Sequence, residues 1–170
     1  MPTIRRVLTT VALITCVSST ASAQRLPTDT ELHAAACIPV MHWAVGVETQ
    51  ALAEMRVPAD APKQEQDLAA KVRANLTQQL ADSQSALARL QAYLLPRLTL
   101  LEPVAIAAAQ SRGDADVREL TSLTARCASC VDQAAAKTPT KPDYSACEYC
   151  KHPVVQDRLF SCKNPTWLPF

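Results

Sequence analysis

Seven cysteines stand in a chain of 170 residues, and four of them form two Cys-x-x-Cys pairs: Cys127 with Cys130, and Cys147 with Cys150. Sixteen residues separate the pairs, and eleven more lead to Cys162. Sulfur at this spacing can hold zinc tetrahedrally, cycle as a thiol–disulfide couple, attach a haem or close structural disulfides. The compartment decides between these uses, because thiols are oxidised outside the cytosol and kept reduced within it.

The first 23 residues answer that question. Arg5 and Arg6 form a short basic region, residues 7–17 are mostly apolar, and Ala21-Ser22-Ala23 supplies a small-x-small end before Gln24. This pattern is a secretory signal cut after Ala23, and its apolar run is too short to span a bilayer. Cleavage removes Arg5, Arg6 and Cys16. The mature chain, 24–170, then carries 15 basic against 16 acidic residues and six cysteines. That charge balance lacks the basic excess that nucleic acid or an acidic membrane surface requires. A periplasmic or secreted location is expected, with no integral membrane segment after cleavage.

In that setting an even cysteine count reads as a disulfide framework. Residues three apart on a helix share a face, so antiparallel helices carrying the two pairs would close Cys127–Cys150 and Cys130–Cys147. Cys37 is left for Cys162, which would tie the tail to the first helix. The metal alternative places zinc on Cys127, Cys130, Cys147 and Cys150. Its usual glycine after the second cysteine is replaced by Val131 and Lys151. The redox alternative uses Cys147 and Cys150, with Cys147 in the first turn of a capped helix, where free amides favour a thiolate. Glu148 opposes that thiolate, and no βαβ scaffold surrounds it. His33 shares a helix face with Cys37 at i, i+4.

An exported helical bundle with a C-terminal Cys-x-x-Cys resembles cytochrome c′, whose motif continues directly into the axial histidine. Here Val131 follows Cys130, and Lys151 follows Cys150 with His152 one place late. No cofactor is therefore expected. The chain also lacks a Gly-rich phosphate loop, a His-Glu-x-x-His helix and a serine nucleophile elbow.

The elements that must position these cysteines are helices. Two glycines stand against twelve prolines, without the alternation that marks strands. Thr28 and Glu31 form a capping box for a first helix with Leu32, Ala36, Val40, Trp43 and Val47 on its apolar face. Pro39 predicts a kink or break there. A second helix opens near Pro62, ends at Pro96 and carries the clearest stripe: Leu68, Val72, Leu76, Leu80, Ser83, Leu87, Leu90, Leu94. From Leu76 onward its steps alternate four and three, those of a coiled-coil seam, and its length suggests that it overhangs its neighbours or bends.

Residues 98–109 are apolar nearly all round, which predicts a short third helix buried between others. Ser111-Arg112-Gly113 predicts its end. A fourth helix would then begin near Asp114, with Asp116 and Glu119 complementing its dipole. Residues 145–152 predict a short capped helix. The tail beyond has no period, and Trp167 is expected to fold back with Cys162.

These readings predict an all-α protein: a three- to four-helix bundle with one long helix, and a disulfide-stapled C-terminal hairpin and tail. Residues 24–136 form the bundle and 137–170 the cysteine-rich segment of one domain. The expected function is that of a non-catalytic interaction or adaptor protein that binds another exported protein. Leu94, Leu98, Leu101 and Ile106 are the candidate contact residues.

Overall fold

The computed structural model describes residues 24–137 and 152–169, with side chains as far as Arg126 in the first span. The described residues are helical and contain no strand. Helix α1 spans Asp29–Glu54, α2 spans Lys63–Leu94, and a 3-10 segment, Leu95–Leu100, leads to α3, Pro103–Lys137. A π-helical segment, Val154–Leu159, runs directly into the short α4, Phe160–Lys163.

Helix α1 starts where the sequence says. The Glu31 amide donates to Thr28 Oγ1 at 3.3 Å, and the Thr28 amide donates to Glu31 Oε2 at 2.8 Å. Two amides that the helix leaves unpaired are thereby satisfied. The expected break at Pro39 does not occur, and α1 continues to Glu54. Nor does α1 present one stripe. Ala34, Ala35, Ala36 and Cys37 are all buried, and four successive residues cover about 300° of a helix surface. α1 is the central helix, with α2 on one side and α3 on the other.

The largest correction concerns α3. No helix ends at Ser111-Arg112-Gly113, and none begins near Asp114; a single helix runs from Pro103 to Lys137. Gly113 marks a crossing instead of a break. A Cβ built there would lie 2.2 Å from the Ala36 carbonyl oxygen and 3.2 Å from Pro39 Cγ. Only a residue without a side chain lets the two backbones approach so closely, and this packing offsets the roughly 1 kcal/mol that a helical glycine costs. The start of α3 is not buried all round either, since Val104 is 71% exposed.

Two apolar clusters fill the interior. The larger joins Val40, Met41 and Ala44 of α1, Leu90 and Tyr93 of α2, Leu120 and Leu123 of α3, and Val155, Leu159 and Leu168 of the C-terminal segment. The smaller joins Ala35, Leu94, Leu101, Ile106 and Ala109, with Leu98 packed against it. Fully buried leucines such as Leu90 and Leu120 each contribute about 1.5–3 kcal/mol. The second cluster is closed by residues before α1. Arg25 bridges Leu101 in parallel, its amide donating to the Leu100 carbonyl at 2.9 Å while its carbonyl accepts from the Glu102 amide at 3.0 Å.

Candidate functional site

The residues that carry chemistry meet where the C-terminal segment lies across the bundle. Val154, Val155, Leu159, Cys162, Pro165 and Leu168 are its buried residues, and the segment lies against all three long helices. This helical stretch was not legible as such, because six π-helical residues and four α-helical ones leave no regular period. Cys162 bonds Cys37 of α1 with a Cα–Cα separation of 5.3 Å, the pairing expected from the sequence. Both cysteines are fully buried. An attacking thiolate must reach a disulfide sulfur directly, so this bond is closed to exchange while the segment stays seated.

Beside the disulfide sits a polar network that joins three elements. Arg158 Nε forms an ion pair with Asp116 Oδ2 of α3 at 2.8 Å, and Arg158 Nη1 contacts His33 Nδ1 of α1 at 3.2 Å. A guanidinium can only donate, so His33 Nδ1 is the acceptor and Nε2 carries the proton. That proton points to Ser161 Oγ at 3.2 Å, with Cys37 Sγ at 3.9 Å. The tautomer is therefore wrong for a base that would take a proton from Ser161. Trp167 covers the histidine edge-on at 4.3 Å, and its Nε1 donates to the Ser161 carbonyl at 3.3 Å. Burial, and then the charge of Arg158, push the His33 pKa down. The site holds the C-terminal segment in place.

Two further contacts act similarly. His152 Nε2 meets Glu119 Oε1 at 3.4 Å, and Lys163 Nζ meets Glu48 Oε1 at 2.5 Å. Asp116 and Glu119 thus lie inside α3 and hold the C-terminal segment, which replaces the expectation that they complement a helix start. Their i, i+3 spacing puts them on one face. At the other end of α1, Arg25 binds Glu31 through two hydrogen bonds, 2.5 and 2.8 Å. The guanidinium chiefly, with help from Thr28, holds the Glu31 carboxyl down to about 2 despite its burial.

The other candidate residues divide sharply. Leu94, Leu101 and Ile106 are buried at 1%, 1% and 6% exposure, and Leu98 packs beside them. These side chains are core, because the 3-10 segment and the Arg25 bridge fold over them. The exposed apolar residues of that end are Leu26, Leu95, Leu100 and Val104. Leu101 turns inward at the bridge with Arg25, while Leu100, the last residue of the 3-10 segment, stays 48% exposed. Cys127 and Cys130 belong to α3, but their side chains lie outside the described residues, as do Cys147 and Cys150 altogether. The signal sequence and the capped helix near residue 145 also fall outside them.

Among the described residues, no three His, Cys, Asp or Glu side chains stand close enough to hold a metal ion. No helix among them is long and apolar enough to cross a membrane. No protein-family model, curated protein or solved structure matches the chain.

Proposed function

We propose that this chain is an exported, disulfide-stabilised helical protein that acts by binding another exported protein and catalyses nothing itself. The signal at residues 1–23 would be removed, leaving 24–170 as one helical domain in the periplasm or outside the cell. The observation that carries the reading is the exposed apolar end made by Leu26, Leu95, Leu100 and Val104. Exposed apolar residues gathered at one place characterise protein contact surfaces. Because Leu94, Leu101 and Ile106 support this end from beneath, the contact passes to their exposed neighbours. The sealed disulfide and the donor role of His33 toward Ser161 favour a structural use of the chemistry-bearing residues.

The remaining cysteines are proposed to close as Cys127–Cys150 and Cys130–Cys147. The support is positional. His152 lies against Glu119, which precedes Cys127 on α3 by eight residues, or about 12 Å. An antiparallel return toward Glu119 would meet α3 with Cys150 on the Cys127 side and Cys147 on the Cys130 side, the order this pairing needs.

In vivo crosslinking of the full exported chain tests the binding reading. Leu95→Asp with Leu100→Asp is expected to abolish one reproducible crosslinked product that Leu68→Asp leaves intact, with helical circular dichroism unchanged in both. Equal crosslinking by all three proteins removes the proposal. Peptide mapping of the unreduced protein tests the two cysteine pairs.

A further inference from the structure

We infer that the groove between α1, α2 and the C-terminal segment binds a small apolar molecule with a cationic, hydrogen-bond-donating head, of which an arylalkylamine is the type. This groove is separate from the contact end proposed above. It encloses about 580 Å³, and Trp43, Val47, Leu76 and Phe160 supply apolar walls. Ligand sites are commonly concave, mostly apolar spaces of this order with a few convergent polar groups. Here the polar groups are Glu48 and Lys163, with Asp82 at the same groove.

The preference for a donor follows from Glu48. Only 11% of its side chain is exposed, yet among the described residues only Oε1 is engaged, by Lys163, and Oε2 has no hydrogen-bond partner. A buried carboxylate oxygen left unpaired is unfavourable, so a ligand donor that reaches it gains more than a solvated contact would. Charge points the same way. Two carboxylates face one ammonium in the lining, so the groove favours a cation and disfavours an anion. Phe160 is 47% and Val47 38% exposed. An aryl group laid between them would remove apolar surface from water that the protein alone leaves wet.

The test is titration of the mature, oxidised chain with 2-phenylethylamine, 2-phenylethanol and 3-phenylpropionate, read by calorimetry and by Trp43 fluorescence. The amine is expected to bind saturably, the alcohol more weakly and the carboxylate weakest, with about a 10- to 100-fold span set by the charged hydrogen bond. Glu48→Gln is expected to collapse that span. Phe160→Ala, at an exposed position, should weaken all three probes and keep their order, which covers the case in which Glu48→Gln does not fold. Absence of saturation by the amine, equal binding of amine and carboxylate, or an unchanged amine affinity in Phe160→Ala would overturn the inference.

Discussion

The middle of α1 and the first half of α2 make opposite use of apolar residues. Across residues 34–44 of α1, seven alanine, cysteine, valine and methionine side chains are completely or almost completely buried, although no single stripe runs through them. Across residues 63–75 of α2 a clean stripe exists, yet Leu68 is 62% and Val72 42% exposed. The difference teaches that periodicity reports what a helix could bury, whereas the neighbours decide what it does bury. α1 is enclosed by α2, α3 and the C-terminal segment, so small residues on all sides serve it best. The stripe on α2 gains partners only from Leu76 onward, where the larger core cluster begins to fill with Ala86, Leu87 and Leu90.

The largest predicted effect breaks the enclosure of α1. Replacing Cys37 and Cys162 together by serine removes a link between residues 125 apart in sequence. Such a closure should be worth about 2–5 kcal/mol. The expected outcome is a lower urea midpoint, together with limited proteolysis within residues 152–169 that the parent resists. A loss below about 1 kcal/mol would show that Arg158, Lys163 and the buried Val155 and Leu159 seat the segment without the covalent tie.

A smaller effect sets the two glycines against each other. Gly113→Ala puts a methyl group into the Ala36 carbonyl, and backbone cannot rotate away as a side chain can. It should destabilise by about 1–3 kcal/mol. Gly46, on the exposed side of α1, has nothing within 4 Å of a built Cβ. Gly46→Ala should therefore stabilise by about 0.5–1 kcal/mol through helix propensity. Opposite signs from the same substitution would confirm that enclosure, and not residue type, governs the outcome. Thermal unfolding of both variants reads it directly.

This pair of glycines also marks how far the sequence could be read. The Thr28–Glu31 box was legible because all of its parts lie within four residues. The Cys37–Cys162 link was legible because the two Cys-x-x-Cys pairs suggest partners for each other, leaving two cysteines over. Gly113 and Pro39 were misleading. Each is a helix breaker by local rules, but one faces the other across a crossing that only the folded chain creates. Of the network on His33 only the i, i+4 relation to Cys37 was legible, and the rest was invisible for a similar reason. Arg158 lies 125 residues from His33, and neither residue belongs to a motif. Leu94, Leu101 and Ile106 were legible as apolar but not as core, because the strap at Arg25 that covers them carries no hydrophobic pattern of its own.

A pH profile sharpens the comparison at the point where α1 is most enclosed. The His33 pKa is lowered in the folded protein, so the unfolded chain binds more protons as pH falls. Stability should be flat above the unfolded histidine value of about 6.5 and decline as pH drops through the interval just beneath it. His33→Gln should flatten that interval. Glu31 acts in a separate window. Its carboxyl is held near 2 against an ordinary value near 4.5, so its contribution is present above that ordinary value and is lost as pH falls toward 2. Two distinct declines in the parent, with only the upper one removed by His33→Gln, are the expected result.

The smallest effect belongs to the open half of α2. Leu68→Gln removes an apolar side chain that is mostly in water already, and glutamine is as good a helix former as leucine. Stability should change by no more than about 0.5 kcal/mol. The same change at Leu90, on the same stripe but fully buried, would place an amide in the larger cluster without a partner and cost several times more. The ratio of the two measures how abruptly the cover over α2 ends. If Leu68→Gln proves as costly as a core change, α2 must be covered near residue 68 in solution, and its stripe would then be a second contact face instead of an exposed overhang.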